Sequence, residues 1–144
     1  MDTLQEIMKK VLADTFALYL KAHNYHWNVE GFNFPQYHEF FGNLYEELHG
    51  AVDPIAEQIR SLDTYAPGSF TRFMELSEIE DETSVPAGVE MARRLMTDNE
   101  RVLATLNVAF KLADQFDKQG LADFLAGRID THSKHQWMLR SITK

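Results

Sequence analysis

The sequence predicts an all-α protein: a four-helix bundle whose second and third helices are joined by a long connection that carries a short helix. Apolar residues recur every three or four positions along four long segments, which is the spacing of one face of a helix. Glycine- or proline-containing turn sequences separate these segments. With 144 residues, 44% hydrophobic and 25% charged, the chain is expected to form a single domain spanning residues 1–144.

The first two helices are predicted from Thr3 to about Val29 and from Phe34 to about Leu62. The first opens with a Thr-Leu-Gln-Glu sequence, which has the form of a capping box. Gly31 then ends it. Asn33 followed by Pro35 restarts the second helix, because asparagine caps helix starts and the missing proline N–H costs nothing in the first turn.

The rest of the chain predicts a long connection and two further long helices. Turn residues run from Tyr65 to Ser69, and a short helical segment is predicted at residues 70–76. The third long helix is predicted to begin at Ser84 with Pro86 and to end near Ala113. Gly120 separates it from a fourth helix that runs from Leu121 to about Ile142. A bundle with one long crossover has the ferritin-like architecture.

Composition restricts the classes of function. The net charge of −8 disfavours general binding to nucleic acid, which depends on lysine and arginine. No run of about 18 apolar residues exists, and the first residues lack the basic and then apolar pattern of a signal peptide, so we expect a cytoplasmic protein without a membrane span. The absence of cysteine means that nitrogen and oxygen must hold any metal.

Two histidines and two carboxylates are the candidate metal ligands. Asp53 and Glu57 are four residues apart, so both lie on one face of the second helix and could share a cation. A solvated acidic face is the alternative interpretation of this pair. His26 and His38 add imidazole to the set. Imidazole and carboxylate without thiolate suit iron or a similar first-row metal.

A complete site within one chain is not predicted. A di-iron site inside a bundle takes a glutamate from each of two helices and a Glu-x-x-His motif from each of the other two. Only the segment from Glu46 to His49 has that spacing. The ligands must therefore be gathered in another way.

Several motifs occur together in a recognisable order. The segment from Ala22 to Phe34 contains a His-Trp-Asn motif, and a second histidine, His38, lies twelve residues after the first. Asp53 and Glu57 follow as an Asp-x-x-x-Glu motif. This combination, with the segment Lys134 to Arg140 near the end, closely resembles the Dps family, the DNA-binding proteins from starved cells, over essentially the whole chain.

The resemblance implies a function and an arrangement of ligands. It implies a hollow homododecamer that oxidises Fe(II), generally with hydrogen peroxide in preference to dioxygen, and stores ferric mineral. The ferroxidase site would lie between two-fold-related chains, with His26 and His38 from one. The partner would contribute Asp53 and Glu57, and Glu57 would bridge two metal positions. Trp27 resembles a family tryptophan beside the site, where it would be oxidised sacrificially; an interface or core anchor is the alternative.

Two residues depart from the family pattern. The family has an aspartate four residues after the second histidine, but this chain has Gly42, so the second metal position is expected to be weaker or water-filled. Glu46 or His49, on the same stripe as Asp53, could compensate. Pro54 removes a helical hydrogen bond and predicts a kink next to Asp53.

Acidic residues surround the predicted turn between the last two helices. Asp114, Asp117 and Asp123 occur where the family carries acids that line three-fold pores. Three copies would form a funnel that attracts cations, and a solvated turn is the alternative. His132 and His135 are expected to have structural roles rather than to bind a surface metal.

The sequence is compatible with two other functions. The shell could act by compacting nucleic acid, although the chain has no basic tail and is acidic. It could also be a structural shell with impaired ferroxidase activity, which Gly42 and Pro54 would explain.

Overall fold

The computed structural model describes all 144 residues. It contains five helices and no strand: α1 (Asp2–Asn28), α2 (Phe34–Ser61), α3 (Phe70–Leu76), α4 (Gly88–Gln115) and α5 (Gln119–Ile142). The four long helices form the bundle, in which α1 packs against α2 and α4, and α4 packs against α5. Helix α3 lies in the long connection and packs on α1. The predicted all-α bundle with a helical connection is therefore confirmed. None of the five helices combines the length and apolar character needed to cross a bilayer.

A continuous apolar core holds the bundle together. Its 25 buried residues come from all four long helices and from Val29, which directly follows α1. Leu12, Ile55, Leu95 and Leu125 are fully buried examples. Burying one such side chain contributes about 1.5–3 kcal/mol. That exceeds the roughly 1 kcal/mol by which a glycine inside a helix is worse than alanine. Packing therefore holds α2 together despite its internal glycines.

The start of α1 differs from the prediction. The helix begins at Asp2 with Met1 as its N-cap, and no side chain caps it. The predicted capping box is wrong because Thr3 is already inside the helix. The Gln5 side-chain amide instead donates a hydrogen bond to the Leu62 carbonyl at 2.8 Å, which ties the start of α1 to the end of α2.

Two other helix starts also differ from the prediction. Helix α4 begins at Gly88 rather than Ser84, because the Ser84 N–H and hydroxyl both donate to the Glu82 carboxylate in the connection. Gly120 lies inside α5 and does not separate the last two helices. The chain turns instead at Asp117, whose φ of 57° is in the left-handed region.

Helix α2 continues across Pro54 without interruption. The Gly50 carbonyl loses its helical partner there. Both Gly50 and Pro54 are exposed, so water can bond that carbonyl. On the opposite side, Ile55 and Ile59 are fully buried and keep the helix against the core.

A buried polar network connects α2, α4 and α5. Arg128 donates two hydrogen bonds to the Glu47 carboxylate, at 2.6 and 3.1 Å, and His135 Nε2 lies 2.8 Å from Glu47 Oε1. His132 is fully buried, and its Nδ1 lies 2.6 Å from Asn99 Oδ1. The structural roles expected for His132 and His135 are confirmed.

Mild acid is expected to destabilise the fold through His132. Burial, and then the positive charge of Arg128, lowers the pKa of His132 well below its usual value of 6.5. Below about pH 6.5 the unfolded chain binds a proton that the folded chain does not, so the free energy of unfolding falls by up to about 1.4 kcal/mol per pH unit. Urea unfolding at fixed subunit concentration, between pH 7.5 and about 5.5, measures this slope. A His132→Gln variant should show a shallower slope; an unchanged slope would contradict the assignment to His132.

Candidate metal centre

His26 and His38 form a pair at the junction of α1 and α2. His26 lies in the last turn of α1, and His38 lies in the second turn of α2. Each Nδ1 is 2.7 Å from the backbone carbonyl oxygen of the other residue, and the two rings stack with centroids 3.7 Å apart. A carbonyl only accepts, so each Nδ1 carries the proton and donates. Both Nε2 atoms then have a free lone pair. An imidazole in this tautomer can bind a metal through Nε2.

Gly42 packs directly against this histidine pair. A Cβ atom at position 42 would lie 3.1 Å from both Cε1 and Nδ1 of His26. Any side chain there would require the His26 ring to shift. The departure from the family pattern therefore coincides with a close contact to a predicted ligand.

The acid pair Asp53 and Glu57 lies elsewhere on α2. Both residues are exposed, and the neighbouring Asp53, through hydrogen bonding and then through its charge, raises the pKa of Glu57. Asp53 follows His38 by fifteen residues, which is about 22 Å along a helix axis. One ion cannot bridge that distance. The chain has no group of three or more His, Cys, Asp or Glu side chains that could hold a metal by itself.

A stack of aromatic rings borders the histidine pair. The His23 ring lies 3.8 Å from Tyr45 and 4.0 Å from Trp27, and its Nδ1 shares a 3.0 Å hydrogen bond with the Tyr19 hydroxyl. The ring of His23 is 6.1 Å from that of His26. Trp27 is 58% exposed, so it is not a core anchor. The His23 ring therefore connects the Trp27 ring to the ring of His26.

The three aspartates proposed to line a pore are all exposed near one turn. Asp114 is in the last turn of α4, Asp117 makes the turn, and Asp123 is in the first turns of α5. The Asp117 N–H donates to the Asp114 carbonyl at 3.0 Å. Their side chains are available to solvent or to other copies of the chain.

Comparison with known proteins decides the family. A family model described as a ferritin-like domain matches residues 5–144. The DNA protection during starvation protein of Brevibacillus brevis is 33% identical, with 94% of this chain and 91% of that protein covered. The chain belongs to the Dps family of ferritin-like proteins.

Other relatives agree with this membership. The crystal structure of a Dps protein from Bacillus brevis matches this Dps chain with a TM-score of 0.95 at 31% identity, covering 99% of this chain and 96% of that one. The structure of antigen TpF1 from Treponema pallidum gives a TM-score of 0.95 at 30% identity, with coverages of 99% and 92%. A low temperature-induced protein from Nostoc is 35% identical over 94% of this chain and 76% of its own length.

These relationships confirm the ferritin-like bundle. Family membership also supports an iron-storage role of the mini-ferritin type and assembly of several subunits into a shell.

Sequence reasoning did not find the backbone groups of the centre. The carbonyls of His26 and His38 orient the imidazoles, but every residue has a carbonyl, and their pairing depends on how α1 packs on α2. The buried polar network around Arg128 and His132 was only weakly indicated by the sequence. Arg128 and His132 are four residues apart on the last helix, and both are buried.

Proposed function

We propose that this Dps-family chain oxidises Fe(II) at sites shared between two copies and stores the ferric product inside a shell, which is a dodecamer. One observation carries the proposal: the chain has two incomplete ligand pairs about 22 Å apart on the axis of α2. His26 and His38 offer two free Nε2 atoms, and Asp53 and Glu57 offer two exposed carboxylates.

Two-fold symmetry completes both pairs at once. If the histidines of one copy meet the partner subunit's acid pair, the same operation brings the partner's histidines to the acids of the first copy. Each dimer then has two sites. The large exposed apolar side chains Phe32, Phe70 and Met74 support an assembled state, since such surface is usually covered by a partner.

The donor set suits iron as a substrate. Neutral imidazole and carboxylate both bind Fe(II), and the negative charge of the carboxylates also favours Fe(III). Glu57 has two oxygens and would bridge neighbouring irons. Two Fe(II) ions each lose one electron, and one hydrogen peroxide takes both; its O–O bond breaks and, with two protons, two water molecules form. Trp27, one ring away from His26, would donate an electron to an oxidant that escapes this reaction.

The acidic turn provides a route for the substrate. Three copies of Asp114, Asp117 and Asp123 around a three-fold axis would concentrate Fe(II) at a pore. Nucleic-acid compaction is not part of the proposal, because a net charge of −8 without a basic tail opposes binding to phosphate.

Mixing two inactive variants tests whether the site is shared. Subunits with His26→Ala keep the acid pair, and subunits with Asp53→Asn keep both histidines. In a heterodimer of the two variants, one site has all its native ligands. The other site lacks both His26 and Asp53. Random pairing makes about half of the dimers mixed, so we expect about one quarter of the wild-type rate of Fe(II) oxidation after the variants are unfolded and reassembled together.

Each variant reassembled alone is the control and should stay inactive. Absence of recovery in mixed shells, with assembly verified by light scattering, would contradict a shared site. Activity of both variants alone would show that these residues are not the ligands.

A further inference from the structure

We propose that His49 supplies the metal ligand that Gly42 lacks, reaching the second metal position from the partner subunit. The inference rests on the proposed function, since it needs the site between two copies. It gives a metal-binding role to His49, which is not one of the four predicted ligands.

His49 is distinguished by its free ring nitrogens. The chain has six histidines, and the other five all make hydrogen bonds through a ring nitrogen. His49 makes none. It is exposed, and its ring rests 4.8 Å from the ring of Tyr19 on α1. Its position is thus supported by packing while both nitrogens remain available.

His49 lies in line with the acid pair. His49, Asp53 and Glu57 follow one another at intervals of four residues, so they lie on successive turns of α2 and nearly on one face. Ligands four residues apart on a helix commonly share one metal, as the two histidines of the His-Glu-x-x-His motif do. The stripe therefore presents one imidazole and two carboxylates in sequence.

The symmetry of the proposed dimer brings His49 to the right place. If His38 faces the partner's Asp53, the partner's His38 must face Asp53 of the first copy, so the two α2 helices run antiparallel. In two antiparallel copies of one helix, the numbers of any two facing residues have a constant sum. That sum is 91 if His38 faces the partner's Asp53, and 95 if His38 faces the partner's Glu57. In this range His49 faces positions 42 to 46 of the partner. The segment that it faces begins at Gly42.

Position 42 does not provide a metal ligand from its own chain. A side chain there would crowd the His26 ring, which lies 3.1 Å from the position of a Cβ atom. Because glycine has no side chain to bind a metal, a ligand for the second metal must come from another residue. Glu46 is the competing candidate, because it lies one turn after Gly42 on the same helix. Measured across the dimer, however, it faces positions 45 to 49 of the partner, closer to the two-fold axis than His49 does.

Binding of Co(II) alone to the assembled protein tests the proposal. Co(II) prefers the same nitrogen and oxygen ligands as Fe(II), and its visible absorbance reports its coordination without any turnover. Wild type should bind Co(II) in two steps per site. His49→Ala should weaken the second step at least about 100-fold, because losing even an outer partner of a ligand costs about 10- to 100-fold. The first step should be little changed.

Three further variants make the result specific. His49→Glu restores a metal-binding side chain and should recover the second step. Glu46→Gln should bind like wild type, and a loss of the second step in this variant would overturn the assignment to His49. An unchanged second step in His49→Ala, or a single step in wild type, would also overturn it.

Glu57→Gln distinguishes failure of the shared site from failure of the His49 assignment, because Glu57 would bridge both metal positions. The substitution should remove both steps if the shared site exists. If it leaves Co(II) binding unchanged, the proposed function fails; if it removes binding while His49→Ala does not weaken it, only the inference about His49 fails.

Discussion

Replacing Asp53 with Asn and Glu57 with Gln together is expected to reduce the rate of Fe(II) oxidation by hydrogen peroxide more than about 100-fold. Both substitutions keep the shape of the side chain and remove its charge. An amide is a poor ligand for iron, and losing only an outer partner of a ligand already costs about 10- to 100-fold. The rate is measured as ferric absorbance after mixing with Fe(II) under anaerobic conditions.

The variant should fold and assemble at least as well as wild type. The nearby Asp53 raises the pKa of Glu57, so Asp53 opposes the ionisation of Glu57 when no cation is bound. Glu6→Gln with Glu100→Gln is the matched control, because it removes two exposed carboxylates outside the centre. An equal loss of activity in the control would assign the effect to net charge. Full activity in the Asp53 and Glu57 variant would refute the proposed site.

Replacing Glu47 with Ala is expected to lower the free energy of unfolding by about 3–5 kcal/mol. The substitution leaves Arg128, which is buried, without its carboxylate, and removing one partner of a buried ion pair costs about this much. The value should be near the lower end, because the Glu47 side chain is 32% exposed and water can reach the gap. Thermal unfolding at fixed subunit concentration measures the loss.

A second substitution tests the origin of this loss. Removing both charges, with Glu47→Leu and Arg128→Met, should recover most of the stability, since no unpaired charge remains. The hydrogen bonds from His135 and Arg128 lower the pKa of Glu47 to about 2 despite its burial. The contribution of its charge is therefore complete above about pH 4.5 and is lost as the pH falls towards 2. A penalty for Glu47→Ala that did not shrink in acid would contradict this explanation.

The helices and their order could be predicted because apolar spacing reports which face is buried. The residues at which the helices begin and end were harder to predict, as Thr3 and Gly120 show. A capping sequence at Thr3 competes with the bond from Gln5 to the Leu62 carbonyl, which links residues distant in sequence. Gly120 suits a break, but the left-handed conformation occurs at Asp117, where the chain direction must change.

The candidate ligands were predictable as residue types and as two pairs, but the contacts that orient the histidines were not. Asp53 and Glu57 are neighbours because helix geometry makes them so. The stacking of His26 on His38 depends on the packing of α1 against α2, which no local pattern encodes. The close contact between position 42 and the His26 ring likewise appears only in the structure.

The crossed bonds between His26 and His38 constrain the length of the segment between them more than its composition. Phe32 in that segment is 99% exposed, so its side chain does not help to hold the two crossed bonds within the chain. Inserting one residue in the first turn of α2 would rotate His38 by about 100° and shift it by about 1.5 Å, which would break both carbonyl bonds together. Related chains that have the same chemistry should therefore tolerate substitutions in this segment but not insertions or deletions.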